Sequence, residues 1–394
     1  MSIIVSKFGG SSTANAEMFL RIRDILDESE SRRYIVLSAP GVCPGCHEKI
    51  TNLLYQCYEE AAAGHDIGQL IQVIQLRFSK IAHDLAIPDI DDLIEMEIRN
   101  AVMISPEHTA SRGEYLCARL FSQWSGIPML DASALVAFHQ DGRLNFGRTI
   151  KQFSDMAHDH ERLIIPGFYG ARPDHSITTF TRNGSDVTGA LAAAGVGADL
   201  YENWTDVEGF MSADPAIVPS ARLNPQVSYR QMRALSRAGA RVLHPDCLDP
   251  VSLADIPTRL RSTLQPENFG TLITNHFERT VPCVTGKPDY LLLRELDFCH
   301  HTRNLLTLAP HQIFSTTSGE EIALAKRDLH LVDCKSFFPV ACISIFGMTQ
   351  EQETMSLEAV HPIAVIQAPD HFKVLVHPSD FDSSVRKLHG LLMN

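Results

Sequence analysis

The 394-residue chain is long enough for two or three domains, and its 44% apolar content fits a globular fold. Its net charge of −13 argues against nucleic acid as a default partner, because phosphate backbones are met by basic surfaces. No apolar run approaches the ~20 residues that cross a bilayer, and the N-terminus lacks a basic segment leading into a long apolar one, so no membrane partner is expected and the cytoplasm is the expected location.

Residues 3–13 read IIVSKFGGSST: a β-branched run delivers Lys7 onto two glycines and three hydroxyls. Glycines let backbone N–H groups approach an anion, and a helix starting after the loop adds its positive end. The stretch is either a phosphate cradle or an ordinary strand–turn–helix with a solvated lysine, since it lacks the P-loop pattern. Residues 34–38 (YIVLS) form a short strand ending in the turn Ala39-Pro40-Gly41. Cys43-Pro44-Gly45-Cys46-His47 has haem-attachment, redox or half-zinc spacing, but with no export signal and no evident further ligands it reads as a loop with two thiols. The nine cysteines are scattered and expected to be reduced.

Helices are expected over residues 50–63, 67–85 and 111–125, and strands over Met129–Asp131, Arg162–Pro166 and Thr178–Phe180. The small-residue stretch Asp186–Ala194 predicts a helix packed closely on a sheet, and Asp199–Trp204 a further strand. This alternation implies a mainly parallel sheet covered on both faces by helices, an α/β fold of three layers (α/β/α). From about residue 278 short strands at 290–296, 340–346, 363–367 and 372–376, closed by a helix at Ser383–Leu392, predict a small α+β domain with an antiparallel sheet.

In a parallel sheet the C-terminal strand ends gather where ligands bind. Ser38 to Gly41 ends one strand, and Thr51 follows at a helix start. Ser111-Arg112-Gly113-Glu114 puts a carboxylate at or near a helix start, either for ligand binding or as helix-end charge pairing. In Phe180–Asp186, Arg182 can hold a carboxylate bidentately, while Asp186 either caps a helix or orients metal-bound phosphates.

Taken in order, K-F-G-G-S-S, S-A-P-G, S-R-G-E, T-F-x-R-x-G-S-D-x-T-G, N-W-T-D-V-x-G-F and A-D-P resemble the aspartokinases of the amino acid kinase superfamily, over residues 3 to about 275. The resemblance implies a catalytic domain at 1–278, with a substrate lobe at about 1–198 and a nucleotide lobe at about 199–278. It also implies a reduced, ACT-like (ferredoxin-like) regulatory and dimerisation region at 279–394. The implied reaction is ATP-dependent phosphorylation of the β-carboxylate of L-aspartate, the first step of aspartate-family (lysine and threonine) amino-acid biosynthesis. A related kinase for another acidic substrate and a non-catalytic regulatory homologue are the alternatives. Residue by residue, Lys7 and Asp186 match catalytic positions, and Ser38, Thr51, Glu114, Arg182 and Ser185 match the aspartate site. Lys7, Phe8, Gly9, Gly10, Ser11, Thr205, Asp206, Met211, Asp214 and Arg241 match the ATP site, with Mg2+ held mainly by the phosphates and no direct protein ligand. A homodimer and an amino acid effector are implied partners. The chain departs from the pattern at Asn183, where a glycine is usual, at Ala216, where an arginine is frequent, and at Arg241, where a lysine occurs.

Overall fold

The computed structural model describes residues 2–43, 48–88, 90–181, 183–240, 243, 245–294, 311–316, 319–326, 336–367 and 371–393. The chain divides into two compact units, Met1–Gly209 with Leu243–His276, and Phe210–Val242 with Phe277–Asn394.

The first unit begins with β1 (Ile4–Phe8), α1 (Ala16–Asp27), β2 (Arg32–Leu37), α2 (Ile50–Ala62), α3 (Gly68–Asp84), α4 (Asp91–Val102) and α5 (Pro106–Ser125). It continues through α6 (Phe146–Asp159), β3 (Leu163–Pro166), β4 (Tyr169–Ala171), β5 (Ile177–Thr179), α7 (Gly184–Val196) and β6 (Leu200–Thr205). The chain then enters the second unit for β7 (Gln226–Ser228) and α8 (Tyr229–Ala238), and returns for α9 (Pro245–Leu253), β8 (Thr258–Ser262) and β9 (Thr271–Thr274).

Six strands of the first unit lie in the order β3-β2-β1-β6-β8-β9. The first five are parallel, and β9 runs antiparallel to β8. Strand alternation splits the side chains between two faces. On one face Phe8, Ile35, Leu37, Ile164 and Trp204 join a core with Phe19, Leu54, Phe78, Ile94 and Phe121, drawn from α1 to α5. The other face, which carries Lys7, is covered by α7, which packs in turn against α6 and α9. No helix among the described residues is long and apolar enough to cross a membrane.

Several expectations need correction. The glycine turn first winds into a 3-10 turn (Gly10–Thr13), so the expected helix, α1, starts only beyond Asn15, whose side chain accepts from the Met18 N–H. Met129–Asp131 contributes a single bridge to Ile164 rather than a strand. Strand β5 pairs antiparallel with β4, outside the main sheet. Ser105 caps α5 and Pro106 occupies its first turn, so α5 starts five residues earlier than the apolar spacing indicates. Helices α4 and α6 have no counterpart in the sequence reading.

In the second unit β10 (Cys283–Arg294), β11 (His311–Thr316), β12 (Gly319–Ala325), β13 (Ser336–Phe346), α10 (Gln350–Val360), β14 (Ala364–Gln367), β15 (His371–Val376) and α11 (Phe381–Met393) follow β7 and α8. The strands close into an antiparallel ring, β10-β12-β11-β14-β15-β13. Val385, Leu388 and Leu392 of α11 bury against Ile343, Ile345, Val374 and Val376, and against Ala213 and Val218.

Candidate functional site

Strand β1 delivers Lys7 to the α7 side of the sheet, level with Val36 of β2 and Asn203 of β6. The helix can come close there because residue 189 is glycine. A Cβ on it would lie 2.6 Å from the Tyr201 hydroxyl and 3.0 Å from the Lys7 Cβ. One turn earlier, Asp186 meets Lys7, with Nζ to Oδ1 at 2.5 Å and Lys7 only 6% exposed. The start of α7 is shaped by a left-handed Asn183 (φ 47°, ψ 38°), a conformation asparagine tolerates better than most residues. Ser185 is buried and presses on Gly167, where a Cβ would sit 2.6 Å from its Oγ.

The glycine turn is built by close backbone contact. A Cβ on Gly41 would lie 2.5 Å from the Gly10 carbonyl carbon, and the Gly41 N–H donates to the Gly10 carbonyl at 2.7 Å. The Gly9 N–H is spent on the Trp204 carbonyl at 3.0 Å. Thr13 Oγ1 donates among the carbonyls of Gly9, Gly10, Ser38 and Ala39, and Ser12 Oγ lies 2.7 Å from Thr263 Oγ1. Two of the three hydroxyls therefore brace the loop, which leaves Ser11, only partly buried, as the one positioned to meet a ligand. Phe8, fully buried, stacks on Trp204 and is a foundation for the loop.

Ser38 is buried at the end of β2, with its N–H on the Phe8 carbonyl. Thr51 lies in the first turn of α2. Glu114 lies in mid-helix rather than at a helix start, so helix-end pairing does not account for it. Gly113 admits α5 beneath the Ser38–Gly41 turn: a Cβ there would stand 3.0 Å from the Ala39 Cβ. Glu114 is 6% exposed, and its Oε2 has no hydrogen-bond partner among the described residues. Burial pushes its carboxyl up to about 8, against the opposing pull of the Ala39 backbone and the Lys7 charge. Its motif neighbours are structural: Arg112 pairs with Glu97 at 3.2 Å and donates to Ser111 Oγ at 2.9 Å. Arg77, distant in sequence, donates to the Gly41 and Glu48 carbonyls and ties down both ends of the cysteine loop.

Thr205 ends β6 and donates its hydroxyl to Asp206 Oδ1 at 3.0 Å. Met211 and Asp214 belong to the second unit. Met211 bridges to Leu223, and Asp214 Oδ1 accepts the Ala216 N–H at 2.9 Å. Arg182 and Arg241, with Cys46 and His47, lie outside the described residues.

The opposite sheet face holds a buried charge cluster that the sequence reading missed. Glu202, 1% exposed, accepts from Arg32 Nε (2.8 Å), Arg261 Nη1 (3.3 Å), Ser6 Oγ (3.0 Å) and Trp204 Nε1 (3.1 Å). Both guanidinium groups lie over the Trp204 ring. Burial alone would raise the Glu202 carboxyl, but the Arg32 hydrogen bond and charge and the Arg261 charge hold it below the ordinary glutamate range. Tyr201 and Asn203 also went unassigned; only their alternation with Glu202 and Trp204, which turns them toward α7, could have marked them.

A model of the amino acid kinase family matches residues 2–262. The lysine-sensitive aspartokinase 3 of Escherichia coli K12 is 31% identical over 371 residues, 82% of this chain and 78% of that protein. Aspartokinase 3 of Bacillus subtilis is 29% identical over 330 residues, 77% of this chain and 72% of that protein. The crystal structure of Clostridium acetobutylicum aspartate kinase superposes with a TM-score of 0.87 at 28% identity, covering 99% of this chain and 100% of that one. With two-thirds of its length matched by the family model and relatives of this similarity, the chain belongs to the aspartokinases of the amino acid kinase family.

Proposed function

We propose that this aspartokinase divides the ATP-dependent phosphorylation of the L-aspartate β-carboxylate between the Lys7–Asp186 pair and the Glu114 pocket. A carboxylate oxygen attacks the γ-phosphorus, the bond to the β,γ-bridging oxygen breaks, and 4-phospho-L-aspartate and ADP leave. An ionised carboxylate needs no general base; the obstacle is bringing one anion to another. The observation that carries the reading is Lys7, buried beside the glycine turn at the C-terminal strand edge and held by Asp186 at 2.5 Å. A fixed cation there offsets the charge of the moving phosphoryl group without reorganisation.

Glu114, with one buried oxygen that has no partner among the described residues, suits the substrate ammonium. Ser38, Thr51 and Ser185 flank the acceptor, and Arg182 is assigned to its α-carboxylate. Phe8, Gly9, Gly10, Ser11, Thr205 and Asp206, with Met211, Asp214 and Arg241, are assigned to the nucleotide. Mg2+ suits the donor set as a passenger of the phosphates. Lys7 and Asn203 both engage Asp186 Oδ1, which fixes the carboxylate proposed to orient the metal-bound phosphates. Carried by the phosphates, Mg2+ would supply charge neutralisation.

The C-terminal unit is the proposed ACT-like region for homodimerisation and an amino acid effector. Its antiparallel ring and its half-exposed Phe337, Phe338 and Ile363 favour such a role, and the E. coli relative is lysine-sensitive by name. A cytoplasmic location is part of the same reading. The test is ADP release with MgATP and a panel of acidic amino acids, with hydroxylamine trapping the acyl phosphate. Aspartate turns over, and Lys7→Ala abolishes turnover while leaving the fold intact. Absence of aspartate-dependent ADP release, or full activity of Lys7→Ala, refutes the reading.

A further inference from the structure

Strand β6 turns Tyr201, Asn203 and Thr205 to the sheet face that carries Lys7. Asn203 is 2% exposed, and its Nδ2 donates to Asp186 Oδ1 at 2.8 Å, the same oxygen that takes Lys7 Nζ at 2.5 Å. Tyr201, 1% exposed, donates its phenol to the Asp186 backbone carbonyl at 3.1 Å. Its oxygen also lies 3.4 Å from Asn203 Nδ2. Two neighbouring side chains of one central strand thus grip both ends of Asp186, its carboxylate and its peptide carbonyl.

A buried amide is an expensive choice here. The facing helix offers Gly189, Ala190, Ala192 and Ala193, and an apolar residue would fill the space without desolvating a polar group. The amide is instead bonded to the carboxylate that holds Lys7.

We propose that Asn203 is a positioning residue for phosphoryl transfer, which locks the Asp186 carboxylate so that Lys7 Nζ stays beside the glycine turn. The lysine stem has four rotatable carbons, and its ammonium is a point charge with no directional fork of its own. Its place is therefore set by its partner, and the partner's place is set by a donor on a rigid strand. Tyr201 supports the same turn of α7 from below. The inference rests on the reading of Lys7 and Asp186 as catalytic residues.

Four proteins test it: the full-length wild type, Lys7→Ala, Asn203→Leu and Asn203→Asp. Asn203→Leu keeps the volume and removes the donor. Its kcat falls about 10–100-fold, the order expected of a misplaced group, while KM for ATP and for aspartate stays within about threefold and Tm does not fall. Asn203→Asp gives a readout that packing alone would not move. Two carboxylates at this separation share one proton, and the protonated carboxyl at 203 donates to Asp186 as the amide does. Its kcat is low at pH 8 and recovers as the pH falls toward 6, a rise absent from the wild type.

Wild-type kcat in a folded Asn203→Leu overturns the proposal. So does a pH profile of Asn203→Asp parallel to that of the wild type, which decides the matter should Asn203→Leu not fold. An active Lys7→Ala removes the catalytic reading and this inference with it, whereas an inactive Lys7→Ala beside a fully active Asn203→Leu removes the inference alone.

Discussion

Replacing Glu114 by Gln should stabilise the protein at neutral pH and at the same time damage its use of aspartate. The side chain is buried, one of its oxygens has no partner among the described residues, and its carboxyl is pushed up to about 8 from 4.5. A raised carboxyl pKa means the folded state holds its proton longer than the unfolded chain does. The stability this group contributes is complete below pH 4.5 and is lost as pH rises toward 8. At pH 7 the deficit is the distance from 4.5 multiplied by 1.36 kcal/mol per unit, about 3 kcal/mol. Glutamine keeps the shape of the protonated acid and escapes this deficit. The gain converts to a rise in Tm of about 10 °C for a unit of this size. Thermal melts of both proteins from pH 5 to 8 provide the check: the two converge in acid and diverge toward pH 8. In parallel, an arriving ammonium favours the ionised Glu114, so calorimetry should show aspartate binding more tightly to the wild type as pH rises from 6.5 to 8, and no such trend in the variant. A variant no more stable than the wild type at pH 8, or one that keeps its KM for aspartate, would refute the assignment of a strained, ligand-seeking carboxyl.

Substitutions at three further positions probe the framework. Glu202→Gln leaves Arg32 and Arg261 without their buried counter-charge and should cost about 3–5 kcal/mol by denaturant unfolding at pH 7. Because the Glu202 carboxyl is held low, its contribution is present above its unfolded pKa and is lost as pH falls through the folded one, so the gap between variant and wild type should close in acid. Gly189→Val drives a side chain into Tyr201 and Lys7, so α7 must retreat; a loss of about 1–3 kcal/mol should accompany near-complete loss of kcat, and a fully active variant would show that the close approach is not needed. Asn183→Ala should lower stability by about 1 kcal/mol because alanine resists the left-handed turn, whereas Asn183→Gly should be tolerated; equal melting of the two would contradict the backbone argument.

The elements legible in the sequence are those whose surroundings leave little choice. Strands β1, β2 and β3 are mostly buried and carry short apolar stretches bounded by turns, and α7 announces its close packing through Gly and Ala. Helix α4 escaped notice because acidic side chains surround a narrow stripe of Ile94, Ile98 and Ala101, and α6 because only Thr149, Phe153 and Met156 are buried. The start of α5 was lost for a related reason: Glu107, His108 and Thr109 hide a first turn that Ser105 and Pro106 define through cap chemistry rather than periodicity. Most of the local site motifs could be found by residue type, but their division of labour could not. Ser12 and Thr13 turn out to brace the loop, and Asn203 acquires its place only when α7 is laid across β6.

Two glutamates show why burial alone does not identify a functional group. Glu202 is the more deeply buried, yet two guanidinium groups, a hydroxyl and an indole N–H satisfy it, and its charge is stabilised in the resting fold. Such an arrangement has nothing left to offer a ligand. Glu114 is buried as well, and one of its oxygens has no partner among the described residues, at the strand edge where Gly9, Gly10 and Ser38 converge. Evolution could have removed that deficit with a glutamine. A carboxyl left unsatisfied beside a fixed Lys7–Asp186 pair makes sense if its partner arrives with the substrate, and the cation of an amino acid is the simplest group that would complete it.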